Sequence, residues 1–158
     1  MAPTRFAVLA ATLLTLGACS KVAGVVQGGA RLPSDALDSQ IAEQIGDPTT
    51  CVLLADPRTG KVVYRYGELF NCVRGLPACD RPGVMTATEA LRLATTPGGR
   101  AVSCPTTADG SRMVGWTEGV TKGTRTPYLY SAVMEGQRAL PGHEMAARLA
   151  QAVSDAGL

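Results

Sequence analysis

The clearest alternation of hydrophobic and polar positions predicts a β-hairpin. The segment 51–55 (Cys-Val-Leu-Leu-Ala) is apolar throughout, as in a central strand that is buried on both faces. In the segment 61–66, aromatic and apolar residues alternate with the cations Lys61 and Arg65, which is typical of an edge strand with one face in water. The linking residues 56–60 (Asp-Pro-Arg-Thr-Gly) have the composition of a turn.

Two segments near the ends of the chain carry the period of amphipathic helices. Residues 35–45 follow Ser34, a good N-cap, and place their large apolar side chains on one face. Residues 142–156 carry a similar apolar stripe, and Gly157 suits the position after the helix because it tolerates positive φ. We expect both helices to cover the sheet.

The middle of the chain is less regular. Residues 67–85 are expected to form a loop that carries cysteines. Thr86 and Glu89 then have the spacing of a capping box, which predicts a helix over 87–95. The sequence Pro-Gly-Gly at 97–99 should end that helix.

Three further β-prone segments complete the predicted fold. They cover about 100–104, 111–118 and 127–135, and the last is a long apolar run typical of a second central strand. Helices packed on a five-stranded, mainly antiparallel sheet would bury these faces economically. We therefore expect one α+β domain over 34–158, with its five predicted strands in the order 2-1-5-4-3.

The N-terminus carries a different signal. Arg5 precedes an apolar run, Phe6 to Leu16, that is too short to span a bilayer but fits the core of a signal peptide. Leu16-Gly17-Ala18-Cys19 follows, and this stretch resembles the lipobox of bacterial lipoproteins. The resemblance implies that residues 1–18 are removed and that Cys19 is acylated, with palmitate as a typical acyl group. An ordinary secretory signal cut nearby is the alternative.

The residues after Cys19 indicate how the domain is held. Residues 20–33 contain three glycines and no regular period, which predicts a flexible tether. Ser20 occupies the position where Asp is linked with inner-membrane retention in enteric bacteria. By that analogy we expect a lipid-anchored protein that faces the periplasm, at the outer membrane rather than the inner one.

Length and charge balance indicate a single domain and argue against a nucleic-acid-binding protein. Cleavage after Ala18 leaves 140 of the 158 residues, enough for one domain with a real core. It also leaves 14 of the 15 basic residues against 13 acidic ones. Such a balance gives no electrostatic footprint for nucleic acid, and no basic cluster adjoins the anchor to bind lipid headgroups.

Four cysteines remain if Cys19 carries lipid: Cys51, Cys72, Cys79 and Cys104. An even number in an exported chain predicts two disulfides, and three pairings are open. Cys72–Cys79 would close a loop that contains Gly75 and Pro77, whereas Cys51–Cys72 would join one end of the hairpin. A metal site is not expected, because no Cys-x-x-Cys occurs and His143 is the only histidine.

The order of elements resembles two families. One is the roadblock-type, profilin-like interaction domain. The other is the α/β half of serine β-lactamases and penicillin-binding proteins, which segments 35–66 and 111–158 loosely resemble. That family's Ser-x-x-Lys and Lys-Thr/Ser-Gly motifs are absent here, and about 33 residues between Tyr66 and Arg100 leave no room for its helical half. No catalytic residue carries over.

The remaining chemical signals are weak. His143 lies in the first turn of the last predicted helix, where a histidine is usually exposed, and its pairing with Cys104 as a nucleophile requires a free thiol. Glu118 and Glu135 are two carboxylates at predicted strand ends. Three aromatic residues in or near predicted strands are candidates for a ligand groove, with packing in the core as the alternative: Trp116, Tyr128 and Tyr130.

These observations favour a non-enzymatic envelope lipoprotein that binds or scaffolds a protein or cell-wall partner. No cofactor is expected, and the roadblock-like order allows a homodimer through an edge strand or helix face. The alternative is a small hydrolase, or a catalytically decayed β-lactamase-like protein that binds a cell-wall ligand.

Overall fold

The architecture is α+β, with a five-stranded antiparallel sheet covered on both faces. A computed structural model describes residues 32–96, 99–122 and 124–158, all of which belong to one compact unit. In chain order the elements are α1 (Ser34–Ile45), β1 (Cys51–Ala55), β2 (Val62–Tyr66), α2 (Leu69–Val73), β3 (Leu76–Pro77), β4 (Val84–Met85), α3 (Ala87–Leu93), β5 (Arg100–Pro105), β6 (Met113–Val120), β7 (Leu129–Gly136) and α4 (Gly142–Asp155).

The large sheet has the order β2-β1-β7-β6-β5, and every adjacent pair is antiparallel. This numbering differs from 2-1-5-4-3 because the sequence analysis missed the short strands β3 and β4, which pair as a separate two-stranded sheet. The adjacency of β1 and β7 is explained by their composition, since each is apolar enough to be buried on both faces.

One face of the sheet, hereafter the helical face, is covered by α1 and α4. Leu37, Ile41 and Ile45 of α1 are buried there, as the periodicity predicted. Leu149 of α4 joins the same core cluster. Gly157 has a φ of 81°, which confirms its role after the helix.

The opposite face, hereafter the cysteine face, is covered by residues 69–94. This segment holds α2, the β3–β4 hairpin and α3, so the prediction of a plain loop over 67–85 was wrong. The Thr86–Glu89 capping box is confirmed: the Glu89 amide donates to Thr86 Oγ1, and the Glu89 carboxylate accepts from the Thr86 amide. Its helix ends at Leu93, short of the predicted residue 95.

Several other boundaries differ from the predictions for local reasons. Pro33, rather than Ser34, occupies the N-cap position of α1, and no side chain caps that helix. Strand β6, which corresponds to the predicted segment 111–118, starts at Met113. Asp109 Oδ1 accepts hydrogen bonds from the amide and the hydroxyl of Ser111 and holds that residue in a turn. Helix α4 starts at Gly142 as predicted, and its amide donates to Ser103 Oγ of β5 over 2.7 Å.

Candidate functional site

The sheet edge formed by β2 and the neighbouring helix α2 is the most distinctive surface of the described residues. Helix α2 is only five residues long, and no side chain caps its N-terminus. Its inner side is fixed by the Cys51–Cys72 disulfide and by the Asn71 side-chain amide, which donates to the carbonyl of Pro48 over 2.8 Å. These two attachments orient the rest of the helix towards solvent.

The outer side of α2 is apolar. Leu69, Phe70 and Val73 are 56%, 67% and 52% exposed. Val63 of β2 is 43% exposed and lines a groove of about 450 Å³ together with Leu69 and Val73. We call these four residues the α2–β2 surface. Large apolar groups gathered in this way, beside polar neighbours, are typical of a contact site.

The polar rim of the α2–β2 surface carries charges of both signs. Lys61, Arg65 and Glu68 are all exposed. Within the described residues, no ion pair joins any of the three to another side chain. Arg74 is different: its guanidinium lies 5.8 Å from the ring centroid of Phe70 and also donates to Glu135.

Strand β2 is an edge strand whose outer side has no partner strand in the described part of the chain. Tyr64 anchors it to α1, because its hydroxyl donates to Asp38 Oδ1 over 2.7 Å. The register with β1 shifts beside Val63, so this residue forms a bulge. Val63 is thus outside the regular ladder, and it lines the same groove as Leu69 and Val73.

The other edge strand, β5, is protected. Its last residue, Pro105, lacks an amide hydrogen and cannot donate to an added strand. Cys104 is bonded to Cys79, and the Arg100 guanidinium donates to the carbonyl of Ala78, so the segment 78–80 is held against this strand. The two edges therefore differ in their capacity for contacts.

Arg100 forms an ion cluster with the buried Glu118 and the exposed Asp80. Its Nη1 donates to both oxygens of the fully buried Glu118, over 2.7 and 3.0 Å. Burial raises the pKa of Glu118, although the hydrogen bonds from Arg100 oppose that shift. The hydrogen bonds from Arg100 lower the pKa of Asp80 to about 2. This cluster closes one end of the cysteine face.

A second cluster surrounds Glu135 at the other end of the same face. Its carboxylate accepts from Arg112, Arg74 and Thr106 over 2.8 to 3.2 Å. In the β6–β7 register Glu135 lies opposite Val114, four positions away from the Glu118 level. That separation is about 13 Å along the strands. The two acids are therefore too far apart to act as one glycosidase-type pair.

The aromatic residues are not brought together. Trp116 is completely buried on the cysteine face, and its indole donates to the carbonyl of Pro77 over 2.8 Å. Tyr128 and Tyr130 pack against the core of the helical face. A single groove lined by all three does not form. Tyr130 alone lines a cavity of about 290 Å³ between α4 and the segment that contains Lys122.

The four cysteines form Cys51–Cys72 and Cys79–Cys104, so two disulfides are present as predicted. Cys104 is thus not available as a nucleophile, and His143 is exposed at the start of α4. In residues 32–96, 99–122 and 124–158, no group of three or more His, Cys, Asp or Glu side chains could hold a metal ion. The predicted lipidation site Cys19 lies outside the described residues.

Sequence reasoning missed the α2–β2 surface because α2 was taken as loop. A signal was present: Leu69, Phe70 and Val73 are apolar at helical spacing and frame Asn71 and Cys72. The segment was too short to show a full period.

Comparisons with known proteins add no assignment. No family model matches the chain, and no curated protein or solved structure matches it. The likeness to roadblock-type domains and to the β-lactamase half therefore stays a resemblance in the order of elements. No helix in the described ranges is long and apolar enough to cross a membrane.

Proposed function

We propose that this protein is a lipid-anchored envelope protein whose folded domain makes non-enzymatic contacts through the α2–β2 surface. The lipobox-like stretch ending at Cys19 supports the anchor, and residues 20–33 have the composition of a tether. The order of elements, which resembles that of roadblock-type interaction domains, supports a contact role.

The single observation that carries the contact role is the exposure of Phe70 together with its neighbours. A domain that lets α2 turn inward would bury these groups and gain hydrophobic stabilisation. Instead, the Cys51–Cys72 bond and the Asn71 hydrogen bond fix α2 with Leu69, Phe70 and Val73 outside. The fold stabilises an arrangement in which apolar groups stay available to a partner.

Three side chains that could otherwise perform acid–base or nucleophilic chemistry are engaged in structural contacts. Glu118 and Glu135 accept hydrogen bonds from arginine side chains, and Cys104 is in a disulfide. These contacts favour a binding module over the hydrolase alternative.

The anchor is tested by replacing Cys19 with alanine in cells of a lipoprotein-processing bacterium. We expect the parent chain to incorporate labelled palmitate and to fractionate with membranes, and the Cys19→Ala variant to lose both properties. Equal labelling and fractionation of the two proteins would refute the anchor.

The contact surface is tested by a photo-crosslinking amino acid at Phe70, compared with one at Val120. Val120 is also exposed, at 42%, but lies outside the α2–β2 surface. We expect a discrete cross-linked product from position 70 and none from position 120. Equal products, or none at either position, would contradict the proposal. Covalent labelling of the purified protein by a fluorescent penicillin would favour the alternative function instead.

A further inference from the structure

We propose that the Cys79–Cys104 disulfide is a site of reversible thiol–disulfide exchange with an exported dithiol protein, whereas Cys51–Cys72 is a permanent structural bond. This inference goes beyond the proposed contact function, because the exchange does not involve the α2–β2 surface. It depends on the backbone conformation at Cys79, on the different accessibility of the two disulfides, and on the contacts that surround the more accessible one.

The backbone at Cys79 is strained. Its φ is 72°, and no other non-glycine residue in the described ranges has a positive φ. The amide of Asp80 donates to the carbonyl of Ala78 over 3.0 Å, so Cys79 is the central residue of a γ-turn. A γ-turn with a positive φ at its centre is rare and strained. Strain of this kind persists only where surrounding contacts impose it, and it is concentrated at functional sites and switch regions.

The contacts that impose this conformation lie on both sides of Cys79 and at its side chain. Arg100 Nη2 donates to the Ala78 carbonyl over 2.6 Å and to Asp80 Oδ1 over 2.9 Å. The side chain of Cys79 is bonded to Cys104 in strand β5. Opening that bond frees the side chain and lets the backbone of Cys79 return to a negative φ. Because reduction relieves strain, this disulfide should be easier to reduce than an unstrained one.

The two disulfides also differ in accessibility. Cys79 and Cys104 are both half-buried, and Cys104 lies in an edge strand of the sheet. Cys51 is completely buried in β1, between β2 and β7, and Cys72 is only 2% exposed. An attacking thiolate must reach a sulfur atom to displace its partner, so burial protects Cys51–Cys72. Disulfides that are strained or exposed are the labile and regulatory ones.

The exchange is a two-electron transfer in two steps. A thiolate of the dithiol attacks one sulfur of the Cys79–Cys104 bond and forms a mixed disulfide, and the other cysteine leaves as a thiolate that takes up a proton. The second thiol of the dithiol then loses its proton and attacks the first, which releases the remaining cysteine as a thiolate that is also protonated. The dithiol is oxidised to a disulfide, and Cys79 and Cys104 are reduced to thiols. The reverse steps restore the bond.

Trp116 lies where it can report this change. Its indole donates to the carbonyl of Pro77, two residues before Cys79, over 2.8 Å, and it is the only tryptophan in the chain. When Cys79 leaves the γ-turn, we expect the preceding residues to shift and this hydrogen bond to weaken. Helix α2 stays in place, because the Cys51–Cys72 bond is retained. Exchange therefore loosens the part of the cysteine face beside β5 and leaves the α2–β2 surface unchanged.

The test is a redox titration of the full-length protein in nonionic detergent, with graded ratios of reduced to oxidised dithiothreitol as the dithiol probe. Free thiols are trapped by acid quenching and alkylation, and are located by peptide mass spectrometry. We expect Cys79 and Cys104 to be alkylated at a ratio at least about tenfold lower than Cys51 and Cys72 require. Opening of both disulfides at the same ratio, or of Cys51–Cys72 first, overturns the proposal.

The fluorescence of Trp116 is the second readout. At the ratio that opens only Cys79–Cys104, we expect the emission to shift to longer wavelength and to recover on reoxidation. The Cys79→Ala/Cys104→Ala variant is the control and should not respond to that ratio. An equal response of this variant, or no response of the parent chain, would contradict the proposal. The cross-link from position 70 does not depend on this disulfide, so failure of the exchange and failure of the contact function are distinguishable.

Discussion

The two faces of the central sheet are stabilised in different ways. The helical face is closed by α1 and α4, whose large aliphatic side chains form a core with Val52 and Leu54. The cysteine face is closed by short elements that bury four alanines, Ala78, Ala87, Ala90 and Ala94, beside Leu76, Met85 and Leu91. There, two disulfides and two arginine–glutamate clusters add the connections that hold those short elements to the sheet.

This difference explains where the proposed contact surface lies. A face held by continuous amphipathic helices must bury their apolar stripes to be stable. A face held by covalent bonds and ion pairs can leave apolar residues exposed, because α2 is fixed by Cys72 and Asn71 rather than by Phe70. We infer that cross-linking of the cysteine face permits its exposed surface.

Among single substitutions that test this difference between the faces, we expect Arg100→Ala to lower the free energy of unfolding the most. Arg100→Ala leaves Glu118 buried without its guanidinium partner, which should lower the free energy of unfolding by about 3–5 kcal/mol. The matched control is Arg112→Ala, since Glu135 keeps its hydrogen bonds from Arg74 and Thr106. Urea unfolding measures both. Equal losses would show that the Arg100 cluster has no special structural role.

Removing the Cys79–Cys104 disulfide should lower the free energy of unfolding nearly as much, but it should loosen only the cysteine face. The Cys79→Ala/Cys104→Ala double variant opens a link between residues 25 positions apart, which should cost about 3 kcal/mol. Hydrogen exchange should show faster opening in the β3–β4 hairpin and α3, with α1 and α4 still protected. Uniform loss of protection on both faces would contradict the comparison.

The elements that sequence predicts well are those of the helical face. Leu37, Ile41 and Ile45 repeat at helical spacing, and the local pattern is sufficient because one helix face meets one core. The cysteine face depends on contacts between distant residues. Trp116 donates to Pro77, 39 residues earlier, and no local pattern encodes that pairing.

Dependence on contacts between distant residues also limited the prediction of the candidate site. Cysteine parity predicted two disulfides, but three pairings satisfied it equally until α2 and β5 were placed in space. Phe70 was overlooked because its helix is too short to show a period. The exposed surface depends on where Cys72 is tied, and that is a property of the fold.

A smaller loss of stability is expected from removing the hydrogen bond between β5 and the start of α4. Ser103→Ala removes the acceptor of the Gly142 amide and leaves the first turn of α4 without this cap. We expect a loss of about 1 kcal/mol in the free energy of unfolding. Ser154→Ala, at an exposed position of α4, is the control and should change little. A loss at position 103 no larger than at position 154 would exclude this cap.

The smallest expected effect is a pH dependence of stability that arises from Asp80 on the cysteine face. Hydrogen bonds from Arg100 lower the pKa of Asp80 to about 2 in the folded protein, below the usual value of about 4. Its stabilising contribution is therefore complete above about pH 4 and is lost as the pH falls towards 2. Asp80→Asn should flatten the fall in the urea midpoint over that window. An unchanged slope would contradict the assignment.

The most direct test of the account is the intact mass of the membrane-extracted protein, measured before and after reduction and alkylation. The account predicts a chain that begins at Cys19, carries acyl groups, and gains four alkyl groups only after reduction. An uncleaved chain that lacks lipid and whose five cysteines react without reduction would contradict it.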